Sequence, residues 1–271
     1  MATHQNWRRL RGLSNFLSSV VAGVRENIRQ GYYDLAEHVD KLDRPSLKEV
    51  AEKTRLPIIA EIKPRSPSLG RLIDSVSVEL ASSLERAGAS ALSILVERIH
   101  FNGSLELLCR ASESIGIPIL FKDFVVSTKQ VEAASRSGAD ILLLIAELFR
   151  DGYTELPLNQ IIRLAHSLGL EVLLEFHDPQ LLGTVTNSEA DYVGVNNRDL
   201  YTLNLKPDHF YSLSHELRGC RFKVAESGYN ECGRIGRDRL AGADAFLIGS
   251  AIMSSANPPG KLKELLDCDQ S

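Results

Sequence analysis

The chain has 271 residues, of which 44% are hydrophobic and 24% are charged, and its formal net charge is −4. This composition is typical of a globular domain, and the absence of clustered basic residues argues against a nucleic-acid-binding face. The longest clearly apolar run, residues 141–146, is far shorter than the roughly 18 residues that a membrane-spanning helix requires. We therefore expect neither nucleic acid nor the membrane as a partner.

The four cysteines are widely separated in the sequence: Cys109, Cys220, Cys232 and Cys268. None lies two to four residues from another, so the spacing of a zinc site is absent. Scattered cysteines are typical of proteins in a reducing compartment, where disulfides are rare. The sequence therefore predicts a cytoplasmic protein with no disulfide framework and no metal site.

The start of the chain is rich in arginine and has no acidic residue, which is compatible with a transit peptide. However, Leu13, Phe16, Val20 and Val24 recur at helical spacing, and this pattern favours an amphipathic helix. We interpret residues 1–55 as an N-terminal helical extension.

A repeat of about 50 residues runs through the rest of the chain. In each of four copies, a short apolar run follows an alanine and an Asp or Ser, and the alanines are Ala89, Ala139, Ala190 and Ala243. Such runs after a helix-ending signal predict buried strands, and four further strands fit between them. The eight predicted strands are 57–63, 91–95, 118–122, 141–145, 171–176, 192–195, 222–227 and 245–249.

The gaps between these strands hold apolar residues at helical spacing. The predicted helices are 78–87, 105–114, 129–137, 158–168, 179–185, 208–217, 231–241 and 261–266. Alternating strands and helices indicate parallel crossovers, and nearly all-apolar strands indicate burial on both faces.

Eight βα units within residues 56–267 predict an α/β fold, a (β/α)8 TIM barrel with an N-terminal helical extension. A doubly wound open sheet is the competing architecture. The first turn, KPRSPSLG, lacks the glycine-rich fingerprint of that fold, and the even repeat favours closure. We expect residues 1–271 to form a single barrel domain.

Charged residues stand at strand ends where a buried strand should be apolar. They are Glu61, Lys63, Lys122, Glu175 and Glu226, on the first, third, fifth and seventh strands. Because the carboxyl ends of barrel strands converge on one mouth, these groups should meet in one pocket. Burial and neighbouring charge would shift their pKa values, which suits proton transfer. A salt-bridge layer that plugs the barrel is the alternative.

Small residues after the last two strands suggest a phosphate site. Ser227 and Gly228 follow the seventh strand, and Gly249 and Ser250 follow the eighth. Loops at these positions often bind phosphate through backbone N–H groups. Ser66, after the first strand, adds a hydroxyl.

With these residues in view, the chain resembles the indole-3-glycerol-phosphate synthase family from about residue 57 to residue 258. AEIKPRSPSLG at 60–70 and LFKDFVV at 120–126 resemble the family's first and third strands, and VAESGYN and LIGSAIM resemble its last two. The resemblance implies a carboxy-lyase of tryptophan biosynthesis. Its phosphorylated small-molecule substrate is 1-(2-carboxyphenylamino)-1-deoxyribulose 5-phosphate, and ring closure, loss of CO₂ and loss of water require no cofactor.

The same resemblance implies four catalytic residues. Lys122 corresponds to the general acid that protonates the carbonyl oxygen at ring closure. Lys63 corresponds to the residue that holds the substrate carboxylate, and Glu61 and Glu175 to the acid–base carboxylates. Which carboxylate acts at which step stays open.

The resemblance also implies binding residues. Asn196 and Glu226 would position the ribulose hydroxyls, Arg198 would help to bind the substrate, and Phe101 and Phe124 would surround the anthranilate ring. A plain core role is the alternative for Phe124. The implied phosphate contacts are Ser66, Ser227, Gly228, Gly249 and Ser250.

Two positions depart from the family pattern. Ile99 stands where a basic residue is usual, and Arg98 is a candidate to replace that charge. Pro64 follows Lys63 and stiffens the loop.

Two other functions stay open. A different phosphate-binding barrel, such as a phosphoribosylanthranilate isomerase, shares the phosphate loops, and a degenerate barrel would bind without catalysis. The combination of two lysines and two glutamates at the mouth favours the synthase. We also expect association with other enzymes of tryptophan biosynthesis.

Overall fold

The computed structural model describes residues 16–270, and its centre is a closed barrel of eight parallel strands. The strands are β1 Ile58–Ile62, β2 Ala91–Leu95, β3 Ile119–Lys122, β4 Ile141–Ile145, β5 Glu171–Phe176, β6 Tyr192–Asn196, β7 Lys223–Glu226 and β8 Ala245–Ile248. Each strand pairs with its neighbours in chain order, and β8 pairs with β1 to close the barrel. The predicted (β/α)8 fold and all eight predicted strands are therefore confirmed.

Helices surround the barrel and precede it. They are α1 Phe16–Arg29, α2 Leu47–Glu52, α3 Val78–Arg86, α4 Leu105–Ser112, α5 Thr128–Arg136, α6 Ala146–Arg150, α7 Leu158–Ser167, α8 Leu182–Thr186, α9 His209–Leu213, α10 Cys232–Leu240, α11 Ser250–Met253 and α12 Pro258–Leu266. Ser77, Ser104 and Ser127 cap α3, α4 and α5, because their hydroxyls accept from the orphan amides of the first turn. Among residues 16–270, no helix combines the length and the apolar character that a membrane span requires.

The predicted helix over 208–217 is too long, since only His209–Leu213 is α-helical. The hydroxyls of Ser212 and Ser214 donate to the carbonyls three residues earlier, and such bonds compete with the helical ladder. The short helices α6 and α11 were not predicted, and α2 was expected only as part of the helical extension over residues 1–55. They are four to six residues long, too short to display a helical period.

Two apolar layers form the core. Ile58, Ala60 and Ile62 of β1 belong to the layer between the strands and the outer helices, whereas Ile59 belongs to the layer inside the barrel. This division follows from the alternation of side chains along a strand. The interior layer continues into the buried face of α1, so the N-terminal extension is part of the core.

Helix α1 lies against loops that follow the barrel strands. The Phe16 amide donates to the carbonyl of Tyr201, and the Arg25 guanidinium donates to the carbonyl of Tyr153. Val20 and Val24 are fully buried, as the helical spacing predicts. Leu13, the first position of that pattern, lies outside the described residues.

The sequence predicted no disulfide framework, but one disulfide is present among residues 16–270. Cys232 and Cys268 form a disulfide with a Cα–Cα distance of 4.7 Å, although 36 positions separate them in the sequence. The first residue of α10 and the C-terminal turn after α12 meet only when the chain is folded. Cys109 and Cys220 are free thiols.

Candidate active site

A cavity of about 530 Å³ opens at the carboxyl ends of the strands. Every site residue that the sequence predicts lines it: Glu61, Lys63, Ser66, Phe101, Lys122, Phe124, Glu175, Asn196, Arg198, Glu226, Ser227, Gly228, Gly249 and Ser250. Their roles in a reaction stay predictions, but the fold brings all of them to one place.

The alternation of side chains along the strands explains why the charged groups point inward. Each follows an apolar residue of the barrel interior by two positions: Glu61 follows Ile59, Lys122 follows Leu120, Glu175 follows Leu173 and Glu226 follows Val224. Residues two apart on a strand share a face. The top layer of the barrel interior is therefore charged, and the layer beneath it is apolar.

Lys122 lies among these carboxylates. Its Nζ atom is 2.7 Å from Oε2 of Glu175 and 3.4 Å from Oε2 of Glu226, and its side chain is 12% exposed. Burial opposes the charged form, but the carboxylates of Glu175, Glu226 and Glu61 outweigh burial and hold the pKa of Lys122 above its usual range. Lys122 is therefore an ammonium group at neutral pH, a proton donor that can also stabilise negative charge.

The two glutamates beside Lys122 have pKa values pushed in opposite directions. Burial raises the pKa of Glu175, but the Lys122 charge and hydrogen bonds outweigh burial and hold it below its usual range. One of those bonds, 2.7 Å long, comes from the Asn196 amide. Burial and the charge of Glu175 raise the pKa of Glu226 well above its usual range. Such a divided pair supplies a base and an acid in one site.

Glu61 and Lys63 form a second ion pair at the mouth, between Oε2 and Nζ. Glycine at position 249 leaves room for Glu61, because a Cβ atom there would lie 2.0 Å from its Oε2. Gly194 has the same role for Glu226, since a Cβ would lie 2.4 Å from its Oε1. Gly194 in β6 and Gly249 directly after β8 thus leave room for the carboxylates of Glu226 and Glu61.

The end of β6 is held by a histidine that lies beneath it. Nδ1 of His177 is 2.7 Å from the carbonyl oxygen of Asn196 and must carry the hydrogen that it donates. His209 in turn donates to the carbonyl of His177 at 2.6 Å. The Asn196 side chain then accepts from the amide of Arg198, whose guanidinium donates to the carbonyl of Leu203. This chain of bonds orients Asn196 toward Glu175.

Three aromatic rings form one wall of the cavity. Phe101 and Phe124 are stacked with centroids 5.8 Å apart, and Phe16 meets Phe101 edge to face at 6.1 Å. Phe16 was predicted as a helix residue and not as a site residue. Its place in the wall depends on the docking of α1, which the sequence does not reveal.

The loop after β7 forms a tight turn that lines the cavity. Ser227 and Gly228 both have left-handed backbone conformations, with φ of 67° and 82°. The side-chain amide of Asn197 donates to the carbonyl of Ser227 at 3.0 Å, and the Arg234 guanidinium donates to the carbonyl of Gly228 at 2.5 Å. Arg234 lines the cavity and was not predicted from the sequence.

Comparison with known proteins identifies the family to which this geometry belongs. The family model described as indole-3-glycerol phosphate synthase matches residues 20–265. The chain belongs to the indole-3-glycerol phosphate synthase family. The match covers the whole barrel and most of α1, so the fold and the mouth residues lie inside it.

Curated relatives of the chain carry the same name. It is 39% identical over 232 residues to the indole-3-glycerol phosphate synthase of Koribacter versatilis, which covers 85% of this chain and 87% of the relative. It is 34% identical over 262 residues to that of Mycolicibacterium gilvum, covering 94% and 95%. It is 37% identical over 208 residues to that of Halobacterium salinarum, covering 77% and 80%.

The structure shows the surroundings of the two positions, Ile99 and Pro64, that depart from the pattern of the indole-3-glycerol phosphate synthase family. Arg98 does not reach the cavity, because its guanidinium donates to Asn27 of α1 at 2.7 Å and lies over the ring of Tyr32. It therefore does not supply the charge missing at Ile99. The Pro64 carbonyl accepts from the amide of Leu72, which helps to close the hairpin that carries Ser66.

Asp123 lines the cavity next to Lys122, and sequence reasoning gave it no role. Its Oδ2 accepts from the hydroxyl of Tyr33 at 2.7 Å, and its Oδ1 accepts from the amide of Phe124. Burial raises the pKa of Asp123 to about 7. The bond to Tyr33 ties the segment after α1 to the end of β3.

Proposed function

We propose that this chain converts 1-(2-carboxyphenylamino)-1-deoxy-D-ribulose 5-phosphate into indole-3-glycerol phosphate, with release of CO₂ and water, in tryptophan biosynthesis. The observation that carries the proposal is the buried ammonium of Lys122, held between Glu175 and Glu226 at the mouth of a barrel. Membership of the indole-3-glycerol phosphate synthase family supports the same reaction.

Ring closure needs a proton donor at one oxygen. When the aromatic carbon attacks the ribulose carbonyl, a carbon–carbon bond forms and negative charge develops on the carbonyl oxygen. An alkoxide is far more basic than an ammonium group, so transfer of a proton from Lys122 is favourable even with its raised pKa. Lys122 is then neutral, and the neighbouring carboxylates favour its reprotonation from solvent before the next turnover.

The later steps need a second acid and one base. Loss of the carboxylate as CO₂ restores the aromatic ring, and the hydroxyl then leaves as water while a ring proton is removed. Glu175, whose pKa lies below its usual range, suits the base, and Glu61 with Lys63 suits the exchange of a proton at the departing oxygen. We assign the proton transfers of these steps to Glu61, Lys63 and Glu175 together, and we leave open which carboxylate acts at which step.

The cavity lining includes a stacked aromatic pair and a turn of serine and glycine, and these features suit the aromatic ring and the phosphate of this substrate. Its volume of about 530 Å³ falls in the range of small-molecule sites. We assign the anthranilate ring to the wall of Phe101 and Phe124, where stacking orients it. We assign the substrate carboxylate to Lys63 and Arg198, and the ribulose hydroxyls to Asn196 and Glu226. The proposed phosphate contacts are Ser66, Ser227, Gly228, Gly249 and Ser250.

We further propose that residues 1–271 work as one barrel domain in the cytoplasm, with residues 1–55 as its extension. Association with other enzymes of tryptophan biosynthesis is part of the same proposal. Crosslinking of the chain in a cell extract, followed by identification of its partners, tests that association.

Indole fluorescence tests the reaction directly. Purified protein is mixed with the carboxyphenylamino-deoxyribulose phosphate in the presence of EDTA. A fluorescence signal that grows in proportion to the protein and ignores the chelator supports the ring-closing reaction. A folded protein that leaves intact substrate unchanged would contradict it, and phosphoribosylanthranilate would then be the next substrate to test.

A further inference from the structure

The cations that line the cavity differ in how their charge is compensated. Lys63 pairs with Glu61, and Lys122 pairs with Glu175 and Glu226. Arg198 and Arg234 are different, because no carboxylate among residues 16–270 forms an ion pair with either of them. An uncompensated guanidinium in a partly enclosed cavity is suited to binding an anionic ligand.

The position of Arg234 indicates which part of a ligand it would meet. It lies in the first turn of α10, and its Nη1 donates to the carbonyl of Gly228 at 2.5 Å. A Cβ atom added to Gly228 would lie 2.9 Å from the same nitrogen, so the guanidinium rests directly on the turn after β7. A guanidinium has five N–H donors, and the bond to Gly228 uses one of them.

The other proposed phosphate contacts carry no formal charge. Ser66, Ser227 and Ser250 offer hydroxyls, and Gly228 and Gly249 offer backbone amides. A phosphate monoester carries about 1.5 to 2 negative charges at neutral pH, and charge-assisted bonds to it are roughly twice as strong as neutral ones. Lys63 and Arg198 are assigned to the substrate carboxylate. The charged donor that remains for the phosphate is Arg234, whose guanidinium contacts the turn that carries Ser227 and Gly228.

We propose that Arg234 binds the phosphate group of the substrate and selects phosphorylated over unphosphorylated ligands. The inference rests on the proposed function for the identity of the substrate. It goes further by assigning the charged donor of the phosphate site to a helix residue after β7. The bond to Gly228 orients the guanidinium, and the remaining N–H groups face the ligand.

Two variants distinguish phosphate binding by Arg234 from a purely structural role, in which Arg234 only clamps the turn through its bond to Gly228. Arg234→Met removes the charge and keeps the length of the side chain, whereas Arg234→Lys keeps the charge. The matched control is Arg163→Met on α7, because Arg163 pairs with the exposed Glu189 and does not line the cavity. The readouts are the Kd of inorganic phosphate by calorimetry, the KM and kcat of the substrate, and the melting temperature.

Binding predicts a specific pattern. Arg234→Met should raise both the Kd of inorganic phosphate and the KM of the substrate by about 10-fold to 100-fold. This is the range expected when one charged hydrogen bond is lost. Its kcat should change by less than about 3-fold, since the residue does not touch the reacting atoms. Arg234→Lys should recover part of the loss, and Arg163→Met should behave as the wild type.

Other outcomes overturn the assignment. An unchanged phosphate Kd and KM in Arg234→Met would exclude binding, and so would a lower kcat and melting temperature with KM intact, which is the pattern of a clamp. Failure of the wild type to bind inorganic phosphate would also overturn it. A wild type that binds phosphate but forms no indole product would contradict the proposed reaction and leave the phosphate measurement valid for Arg234.

Discussion

The Nζ atom of Lys122 lies 2.7 Å from Oε2 of Glu175, although 53 positions separate the two residues in the chain. They project from β3 and β5, which are not adjacent in the barrel because β4 lies between them. The contact therefore crosses the barrel interior. Closure of the barrel, and not pairing of neighbouring strands, creates the charged group at the mouth.

Two substitutions of Lys122 should distinguish the contribution of its positive charge from that of proton donation. Lys122→Met should lower kcat by about 100-fold to 10,000-fold, the usual contribution of a positioned acid. Lys122→Arg keeps a positive charge beside Glu175 but rarely gives up a proton, so it should lower kcat by a similar factor.

Steady-state kinetics measure the change in kcat, and circular dichroism with phosphate titration checks the fold and the binding site. If Lys122→Arg kept activity within about 10-fold of the wild type, charge and not proton transfer would be the contribution of Lys122.

The stability of the protein should depend on pH through Glu226. Its pKa is raised by burial and by Glu175, so folding favours its protonated form. The stabilisation is fully present below the ordinary value of 4.5 and is lost as pH rises through the higher pKa of the folded state. Glu226→Gln keeps the shape without the proton equilibrium. The variant should therefore gain in unfolding free energy over the wild type as pH rises.

Urea unfolding from about pH 5 to about pH 9 measures this difference. The exposed Glu132 on α5, changed to Gln, is the matched control and should show no such trend. A constant difference between Glu226→Gln and the wild type across the range would contradict the raised pKa.

Gly249→Ala should damage the site through Glu61. The new Cβ would overlap with Oε2 of Glu61, so the carboxylate must move. Displacement of a catalytic group by about 1 Å can lower kcat by about 100-fold, and overpacking costs about 1 to 3 kcal/mol of unfolding free energy.

Gly236→Ala on α10 gives the opposite expectation. Nothing lies within 4 Å of a Cβ at that position, and alanine should stabilise the helix by about 1 kcal/mol. Kinetics and thermal unfolding of the two variants provide the comparison. A fully active Gly249→Ala would mean that Glu61 is free to move without loss of function.

The disulfide should contribute measurably to stability. Closure of a loop of 36 residues between Cys232 and Cys268 is expected to stabilise the folded state by up to about 4 kcal/mol. Cys232→Ser should lose this contribution, whereas Cys109→Ser, which removes a free thiol, should lose much less.

Thiol titration of the unfolded protein checks the bond itself. Two thiols should react without reductant and four after reduction, since the chain has four cysteines and two of them are free. Four reactive thiols before reduction would show that the bond does not form.

The periodicity of the sequence determined the barrel and the composition of its mouth. Apolar runs at a repeat of about 50 residues indicate strands and crossovers, because strand and helix periods are local properties. A charged residue at a strand end, such as Glu61 or Lys122, is also visible locally. The barrel rule alone then places these residues together, without any knowledge of their contacts.

Only the tertiary structure decided which groups meet. The division of pKa values between Glu175 and Glu226 depends on distances across the barrel interior that no local pattern encodes. The contact of Arg234 with the turn after β7 and the entry of Phe16 into the aromatic wall depend on how helices dock. The same is true of the disulfide, whose cysteines approach only after α12 packs on the barrel. Burial and pair distance set the strength of electrostatic contacts, and both are properties of the folded chain.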